Sequence, residues 1–443
     1  MQEWSPNSWL QRTYLQAAAY ADEAQLKDVV AQLSLLPPLV TSSEIKHLRY
    51  EIARAGRGET FILQGGDCAE SFNDCRPDII SNKLKIILQM SLILLHGMRK
   101  PIIRVGRIAG QYAKPRSSDF ETINGVILPS YRGDLVNSPE FTPQAREPNP
   151  NLLLQAYNCS AITLNFIRAL LDSGFADLNH PQQWDLSFVE HSKQKEEYQL
   201  LVKSIGDALD FLETIDGIQS SNLSKVNFYT SHEALHLHYE QALTRQLDDG
   251  KWYNLSTHLP WIGMRTAQLE SAHLEFLRGV ENPIGIKIGP SATPQWLEEV
   301  LNIVNPNHEE GRVLLFTRLG AKQIEHLLPP LIEAVKKIQI PVTWSCDPMH
   351  GNTETTADGI KTRHFDNILL ELKHALEIHR GMGSYLGGVH FELTGDNVTE
   401  CIGGARGLAV DDLKIAYHSL VDPRLNYEQS IEMALQLSRQ FRI

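Results

Sequence analysis

Four side chains scattered along the chain, Cys68, His350, Glu392 and Asp422, offer a thiolate, an imidazole and two carboxylates close to the ends of apolar runs. Such a set suits a divalent transition metal such as manganese, iron, cobalt or zinc, and is foreign to magnesium or calcium, which prefer all-oxygen shells. Cys68 follows a Gly-Gly turn after Phe61-Ile-Leu63, His350 follows Val342-Thr-Trp-Ser345, and Glu392 closes Val389-His-Phe-Glu392. Asp422, in Val421-Asp-Pro-Arg-Leu-Asn426, can supply the fourth donor from a late loop. Spacing by itself assigns none of them, because a lone cysteine or histidine is more often packing than ligand. Cys346 competes with Cys68 for the thiolate place, although its position inside an apolar run suits the core.

Cations form a second set. Arg107 and Lys114-Pro-Arg-Ser117 come just after Pro101-Ile-Ile-Arg-Val105, and Arg265, Lys287 and Arg318 stand at or just past three further apolar runs. Guanidinium forks hold carboxylate or phosphate oxygens, while a lysine adds a mobile charge that can also deliver a proton. Lys287 lies inside Ile284-Gly-Ile-Lys-Ile288, where an ammonium is costly to bury without an anionic partner. The ligand these residues imply is small and highly anionic.

A contiguous motif points elsewhere. His232-Glu-Ala-Leu-His236 matches the H-E-x-x-H pattern of zinc peptidases, in which both histidines share a helix face and the glutamate acts as base. It requires a helix over 232–247, with Ser231 as its cap. Short patterns match by chance, and no third ligand follows at a usual spacing. The zinc metallopeptidase is therefore the alternative, not the main reading.

The elements that must position these groups follow from periodicity. Strands are expected near 61–64, 101–105, 226–230, 252–257, 284–288, 313–317, 341–345 and 387–393, separated by helical patterns such as 82–98, 232–247, 294–304, 321–337 and 364–380. This alternation predicts a parallel α/β fold, a (β/α)8 TIM barrel, which gathers its chemistry at the carboxyl ends of the strands. Residues 1–60 read as an N-terminal helical extension, with Leu26, Val29, Val30 and Leu33 on one face before Pro37-Pro38 ends the run. Residues 61–443 read as the catalytic barrel domain, with extra helices inserted between the second and third strands at about 138–222 and available for oligomer contacts or regulation.

Composition narrows the class. A chain of 443 residues, 42% hydrophobic and 21% charged, is long enough for one large barrel with additions. Its formal net charge of -12 argues against nucleic acid or an anionic membrane as partner. Five cysteines at irregular spacing make a poor disulfide framework and suit a reducing cytoplasm. No secretory leader is expected, since Met1 to Pro6 lacks a basic segment followed by an apolar one. No membrane span is expected either: Ile86 to Leu95 is short and interrupted by Gln89 and Ser91.

Longer motifs resemble those of type II (plant-type) 3-deoxy-D-arabino-heptulosonate 7-phosphate (DAHP) synthase. They are Gly65-Gly-Asp-Cys-Ala-Glu-Ser-Phe72, Arg107-Ile-Ala-Gly-Gln-Tyr-Ala-Lys-Pro-Arg-Ser117, Pro129-Ser-Tyr-Arg-Gly-Asp-Leu-Val-Asn137 and Ser231-His-Glu-Ala-Leu235. Trp261-Ile-Gly-Met-Arg-Thr266, Cys346-Asp-Pro-Met-His-Gly-Asn-Thr353, His390 to Cys401 and Asp422-Pro-Arg-Leu-Asn426 extend the likeness nearly end to end. The resemblance implies a (β/α)8 barrel with extra helices and a transferase of the shikimate pathway. Its reaction condenses phosphoenolpyruvate with erythrose 4-phosphate, giving DAHP and phosphate. It implies one divalent metal, manganese first with cobalt, iron or zinc as alternatives, on Cys68, His350, Glu392 and Asp422. Phosphoenolpyruvate would be held by Arg107, Arg265, Lys287, Arg318 and the backbone N–H of Met264. Lys114, Pro115, Arg116 and Ser117 would face erythrose 4-phosphate, with Lys114 donating a proton to the developing alkoxide. Family members often bind aromatic amino acids at such extra helices and some are insensitive, so feedback control is open here, and the same helices offer surfaces for a homo-oligomer. Two positions depart from the family pattern, which usually has an acidic residue at Met264 and a basic one at Ala267. A non-catalytic regulatory homologue would lack one of the ligands or cations, and none is missing.

Overall fold

The computed structural model describes residues 3–173, 184–192, 195–216 and 227–441, with side chains described throughout except at 209–216. Eight strands form one closed parallel barrel. They are β1 (Phe61–Gly66), β2 (Ile102–Arg107), β3 (Phe228–Glu233), β4 (Leu259–Ile262), β5 (Ile284–Ile288), β6 (Val313–Thr317), β7 (Thr343–Cys346) and β8 (Leu386–Glu392). Each pairs with the next in sequence, and β8 closes on β1. This is the (β/α)8 architecture that the alternation of runs predicts.

The strands are apolar along their length because both faces are covered: β5, β6 and β8 are buried at every position. Successive side chains alternate between the barrel interior and the layer under the helices. Ile62, Ile103, Val105, Tyr229, Leu259, Trp261, Leu314 and Phe316 form a single inner cluster. Phe61, Leu63, Ile284, Ile286, Ile288, Val313 and Leu315 belong to the larger cluster shared with the surrounding helices.

Two helices precede the barrel, α1 (Glu23–Leu35), which stops short of Pro37-Pro38 as expected, and α2 (Ser42–Gly56). A capping box between Thr41 and Glu44 starts α2. Its Leu48, Ile52 and Ala55 join the inner barrel cluster, and the Ile52 carbonyl accepts a hydrogen bond from Thr343 Oγ1 at 2.8 Å, at the start of β7. The extension therefore does structural work, since α2 seals the amino-terminal mouth. Beyond β1 lies α3 (Pro77–Met98), which by length and composition alone could cross a bilayer, being longer than its apolar run suggests. It is instead largely buried, packed against α4 (Asn151–Asp172) and against the last helix, Tyr427–Phe441.

The interval between β2 and β3 contains an antiparallel hairpin (Phe120–Ile123 with Val126–Pro129), which periodicity did not reveal, then α4 and α5 (Lys195–Asp216). Within the expected insertion, 174–183, 193–194 and 217–222 lie outside the described residues, as does 226, where the third strand was expected to begin.

Two local expectations are overturned. The fourth barrel strand is Leu259–Ile262; Trp252–Asn254 instead pairs antiparallel with Thr244–Gln246 in an outlying hairpin. The alternation around Trp252 is strand-like, whereas Pro260 disguises the real strand, because proline has no N–H for a ladder. The expected helix at 232–247 is only Leu237–Ala242, because β3 runs on through Glu233, with Ser231, His232 and Glu233 opposite Leu259, Pro260 and Trp261. Ser231 is thus not a helix cap. Its Oγ donates to the Gly106 carbonyl and accepts from Gln64 Nε2 inside the barrel.

Candidate active site

Strand register brings the first residues of the site together. Gly66, ending β1, lies opposite Arg107 of β2 and Glu392 of β8. Gly66 has φ 143°, and a Cβ there would stand 2.6 Å from the Arg107 carbonyl oxygen, so only glycine allows this approach. The chain then turns and presents Cys68 two residues later. On the other side of β8, β7 ends at Cys346, and His350 follows on a short 3-10 turn.

Cys68, His350, Glu392 and Asp422 converge, each offering one donor atom, with these atoms all within 4.8 Å of one another. One thiol, one imidazole and two carboxylates at this spacing can surround a single transition ion at bond lengths of about 2.0–2.3 Å. Burial first, and then Glu392 and Asp422, push the Cys68 thiol pKa up, with Lys114 and Arg107 opposing. The nucleophilic and metal-binding form is the thiolate, so a cation sharing this site is what would hold Cys68 deprotonated. Glu392 shows the complementary behaviour. Burial opposes its charge, but His350, Arg363 and Arg107 keep its carboxyl well below the usual range. His350 Nε2 lies 3.0 Å from Glu392 Oε1, and Arg363 Nη2 lies 2.7 Å from Glu392 Oε2. Cys346 lies buried within β7 as a core residue.

Beside this cluster opens a cavity of about 180 Å³, lined by Cys68, Arg107, Lys114, Pro115, Met264, Arg265, Lys287, Arg318, His350 and Asp422, with Glu233 on its wall. Arg107 Nη2 donates to Glu392 Oε1 and to the Cys68 carbonyl, both at 3.1 Å. Lys287 pairs with Asp347 and lies 2.8 Å from His390 Nε2, with Trp261 and Phe316 beneath its ammonium. Burial lowers the Lys287 pKa to about 8, Asp347 opposing and Arg107 adding to the fall. For Lys114 the balance runs the other way: burial works against its charge, but Cys68, Asp422 and Glu392 outweigh it and hold the ammonium's pKa up. Its Nζ bonds to both Cys68 Sγ and Asp422 Oδ2.

Two of the expected residues stand apart. Arg116 turns its guanidinium to Glu121 of the hairpin at 2.5 Å, and Ser117 is exposed; neither lines the cavity. Met264 is on the wall, its Sδ accepting the Gly289 N–H at 2.9 Å, so its side chain is engaged rather than offered to a ligand. Ala267 is buried in the core.

The H-E-x-x-H stretch does not form a metal site. His232 and Glu233 are neighbours on a strand and point to opposite faces. His232 Nε2 lies 2.7 Å from Glu240 Oε1, in a buried network with Ser256 and Asn254. His236 caps the next short helix and lies 2.7 Å from the Tyr20 hydroxyl. Glu233 faces the cavity instead. It crowds Gly263, where a Cβ would meet its Oε1 at 2.2 Å, and burial raises its pKa against the pull of Lys287, Lys114 and Arg107.

Motif reading passed over Asp347 and His390. Asp347, three residues before His350, receives that imidazole's Nδ1 at 2.8 Å and also pairs with Lys287. One carboxylate thus orients a candidate ligand and a candidate substrate cation together, the usual outer partner of a metal-binding histidine. His390, two residues before Glu392 and on its face of β8, lies between Arg107 Nη1 at 2.6 Å and Lys287. The period-two pattern of β8 would have placed it in the pocket floor. Behind Cys68, Arg424 joins Glu400 and Asp67, and Asp67 meets Lys83 at 2.5 Å, so the turn carrying Cys68 and the loop carrying Asp422 share one buried ionic network.

Comparison with known proteins places the chain in one family. Residues 4–438 match the model of the class-II DAHP synthetase family. The chain is 47% identical to the phospho-2-dehydro-3-deoxyheptonate aldolase of Neurospora crassa, over 99% of this chain and 94% of that protein. It is 45% identical to the Streptomyces coelicolor protein of the same name, over 98% of this chain and 97% of that one. Among solved structures, phospho-2-dehydro-3-deoxyheptonate aldolase from Francisella tularensis covers 95% of this chain and 97% of its own, with a TM-score of 0.51 at 16% identity, a likeness of fold alone.

Proposed function

Because this chain belongs to the class-II DAHP synthetase family, we propose that the cavity at the carboxyl end of its barrel is where phosphoenolpyruvate and erythrose 4-phosphate condense. The protein is a DAHP synthase, a transferase of the shikimate pathway. The observation that carries the site assignment is the meeting of four metal-type donors within 4.8 Å beside a wall of cations. In this reading Cys68, His350, Glu392 and Asp422 hold one divalent ion, manganese first, with cobalt, iron or zinc able to replace it. When bound, the ion supplies Lewis-acid polarisation of the aldehyde oxygen.

Arg107, Arg265, Lys287 and Arg318, with the Met264 N–H, bind the phosphate and carboxylate of phosphoenolpyruvate and offset the repulsion between two phosphorylated substrates. Lys114 gives a proton to the alkoxide formed as the enol carbon bonds to the aldehyde carbon. Water then adds to the cationic carbon. Glu233, the carboxylate on the wall with the raised pKa, takes one proton of the water, and phosphate leaves from the hemiketal as its carbon–oxygen bond breaks, carrying off the proton of the hydroxyl that becomes the ketone oxygen. Lys114 and Pro115 form the erythrose 4-phosphate side of the cavity, and Arg116 and Ser117 continue the same loop beyond its wall.

Homo-oligomerisation and feedback by an aromatic amino acid belong to the same proposal, supported by the extra helices α1, α4 and α5. A reducing cytoplasm fits five cysteines that form no disulfide. The test is loss of phosphoenolpyruvate absorbance. It should require erythrose 4-phosphate, stop with a chelator and resume with manganese or cobalt; consumption indifferent to chelator would overturn the metal assignment.

A further inference from the structure

Gln16, in the segment leading into α1, has a φ of 59°. That left-handed conformation is unfavourable for a residue with a side chain and persists where the surroundings over-determine it. Here they do. Gln16 Oε1 accepts the backbone N–H of Arg116 at 2.7 Å, and Arg132 Nη1 donates to the Gln16 carbonyl and Oε1, each at 3.4 Å. Arg132 in turn accepts the Lys114 N–H on its own carbonyl at 2.9 Å. The backbone of the Lys114 loop is therefore held at both residues flanking Pro115, directly or through one intermediary, by Gln16.

The segment that carries Gln16 is pinned along its length. Ala272 donates its N–H to the Thr13 carbonyl at 3.0 Å, and the Tyr14 hydroxyl accepts the Leu237 N–H at 2.9 Å. Tyr20 meets His236. His236 and Leu237 are the cap and first residue of the short helix that follows Glu233, so one stretch, 13–20, braces both that helix start and the Lys114 loop from outside the barrel. The phosphoenolpyruvate cations Arg107, Arg265, Lys287 and Arg318 stand at or just beyond strand ends, and among the described residues none has a hydrogen bond to Gln16.

From this geometry we infer that Gln16 is a positioning residue for erythrose 4-phosphate: its side-chain carbonyl fixes the loop Lys114–Ser117 in the register that the second substrate meets. The inference rests on the reading of that loop given under the proposed function. A residue that only anchors the extension would change stability and leave the two substrates' KM values in step.

The experiment uses the full chain with manganese and measures KM for each substrate, together with thermal unfolding, for wild type, Gln16→Ala and Gln16→Gly. Losing one hydrogen bond to a backbone amide should raise KM for erythrose 4-phosphate about three- to tenfold. KM for phosphoenolpyruvate should stay unchanged. Glycine accepts a positive φ without strain yet lacks the carbonyl. Gln16→Gly should therefore show the same KM split with a wild-type melting temperature, and it carries the test if Gln16→Ala folds poorly. A Gln16→Gly enzyme with wild-type KM for erythrose 4-phosphate, or equal rises in both KM values, overturns the inference. If the wild type itself consumes no phosphoenolpyruvate in response to erythrose 4-phosphate, the reading of the whole site falls and this inference with it.

Discussion

At the amino-terminal mouth of the barrel, α2 presses Leu48, Ile52 and Ala55 onto Ile62, Tyr229 and Leu314, and the floor is apolar. At the other mouth the same strands lead into Arg107, Lys287, Arg318 and Glu392, and the space between them is small and charged. The floor gains free energy from every buried methylene, at about 0.8 kcal/mol each. The charged mouth must offset desolvation with pairing, as Lys287 does with Asp347 and Glu392 with Arg363. The contrast teaches where stability and chemistry are separately stored, and substitutions at the two ends should separate them.

The largest effect is expected at the charged mouth. Cys68→Ser should lower kcat by about a thousandfold while the melting temperature of the metal-free protein holds, because an electrostatic group is lost where charge develops; bound metal per chain, measured by elemental analysis, should fall in parallel. At the floor, Ile52→Ala removes a side chain with no solvent exposure. It should destabilise the fold by about 2–5 kcal/mol, read by denaturant unfolding, with KM for both substrates unaltered. If Ile52→Ala instead cripples turnover and leaves stability intact, the division between the two ends is wrong.

Smaller effects sharpen the comparison inside the charged mouth. Asp347→Asn keeps the shape but loses the charge beside His350 and Lys287, and should weaken manganese binding about 10- to 100-fold in a calorimetric titration. The smallest expected effect is a pH limb. Lys287, with a pKa lowered by burial to about 8, is charged below that pH and neutral above it. The anion-binding ammonium is therefore lost as pH rises, and kcat/KM for phosphoenolpyruvate should fall about tenfold per unit beyond about pH 8. Lys287→Arg, protonated throughout, should abolish the limb at some loss of fit; a limb that persists in that variant belongs to another group.

Much of this was legible from residue types. Long apolar runs ending in Gly65-Gly66, Arg107, Arg318 or Glu392 announce buried parallel strands whose ends carry chemistry, and the barrel forms on those runs. What escaped has physical causes. Pro260 concealed β4, since strand propensity weighs against a residue that a barrel's pairing nonetheless tolerates. The H-E-x-x-H spelling suggested a helix, but pairing with β4 extended β3 through Glu233 and left only a short helix beyond it. The contacts of Asp347 with Lys287 and of Gln16 with the Arg116 N–H join groups close in space and remote in sequence, the second through a backbone group that carries no residue signature. No spacing rule reaches such contacts. Arg116, carried by its motif, lies outside the cavity because Glu121 draws the guanidinium away, an interaction set by a hairpin the sequence did not announce, and Ser117 is exposed beside it.

The seal formed by α2 also dictates how the molecule comes into being. The hydrogen bond between Ile52 and Thr343 spans 291 residues, so this early helix completes its native contacts only once β7 exists. At ordinary elongation rates the delay on a ribosome is on the order of tens of seconds. Until the later strands emerge, Leu48, Ile52 and Ala55 have only part of their cluster, since Leu314 and Phe316 come long after Ile62 and Ile103. Ring closure and the final seating of this stopper both wait on strands made late in synthesis.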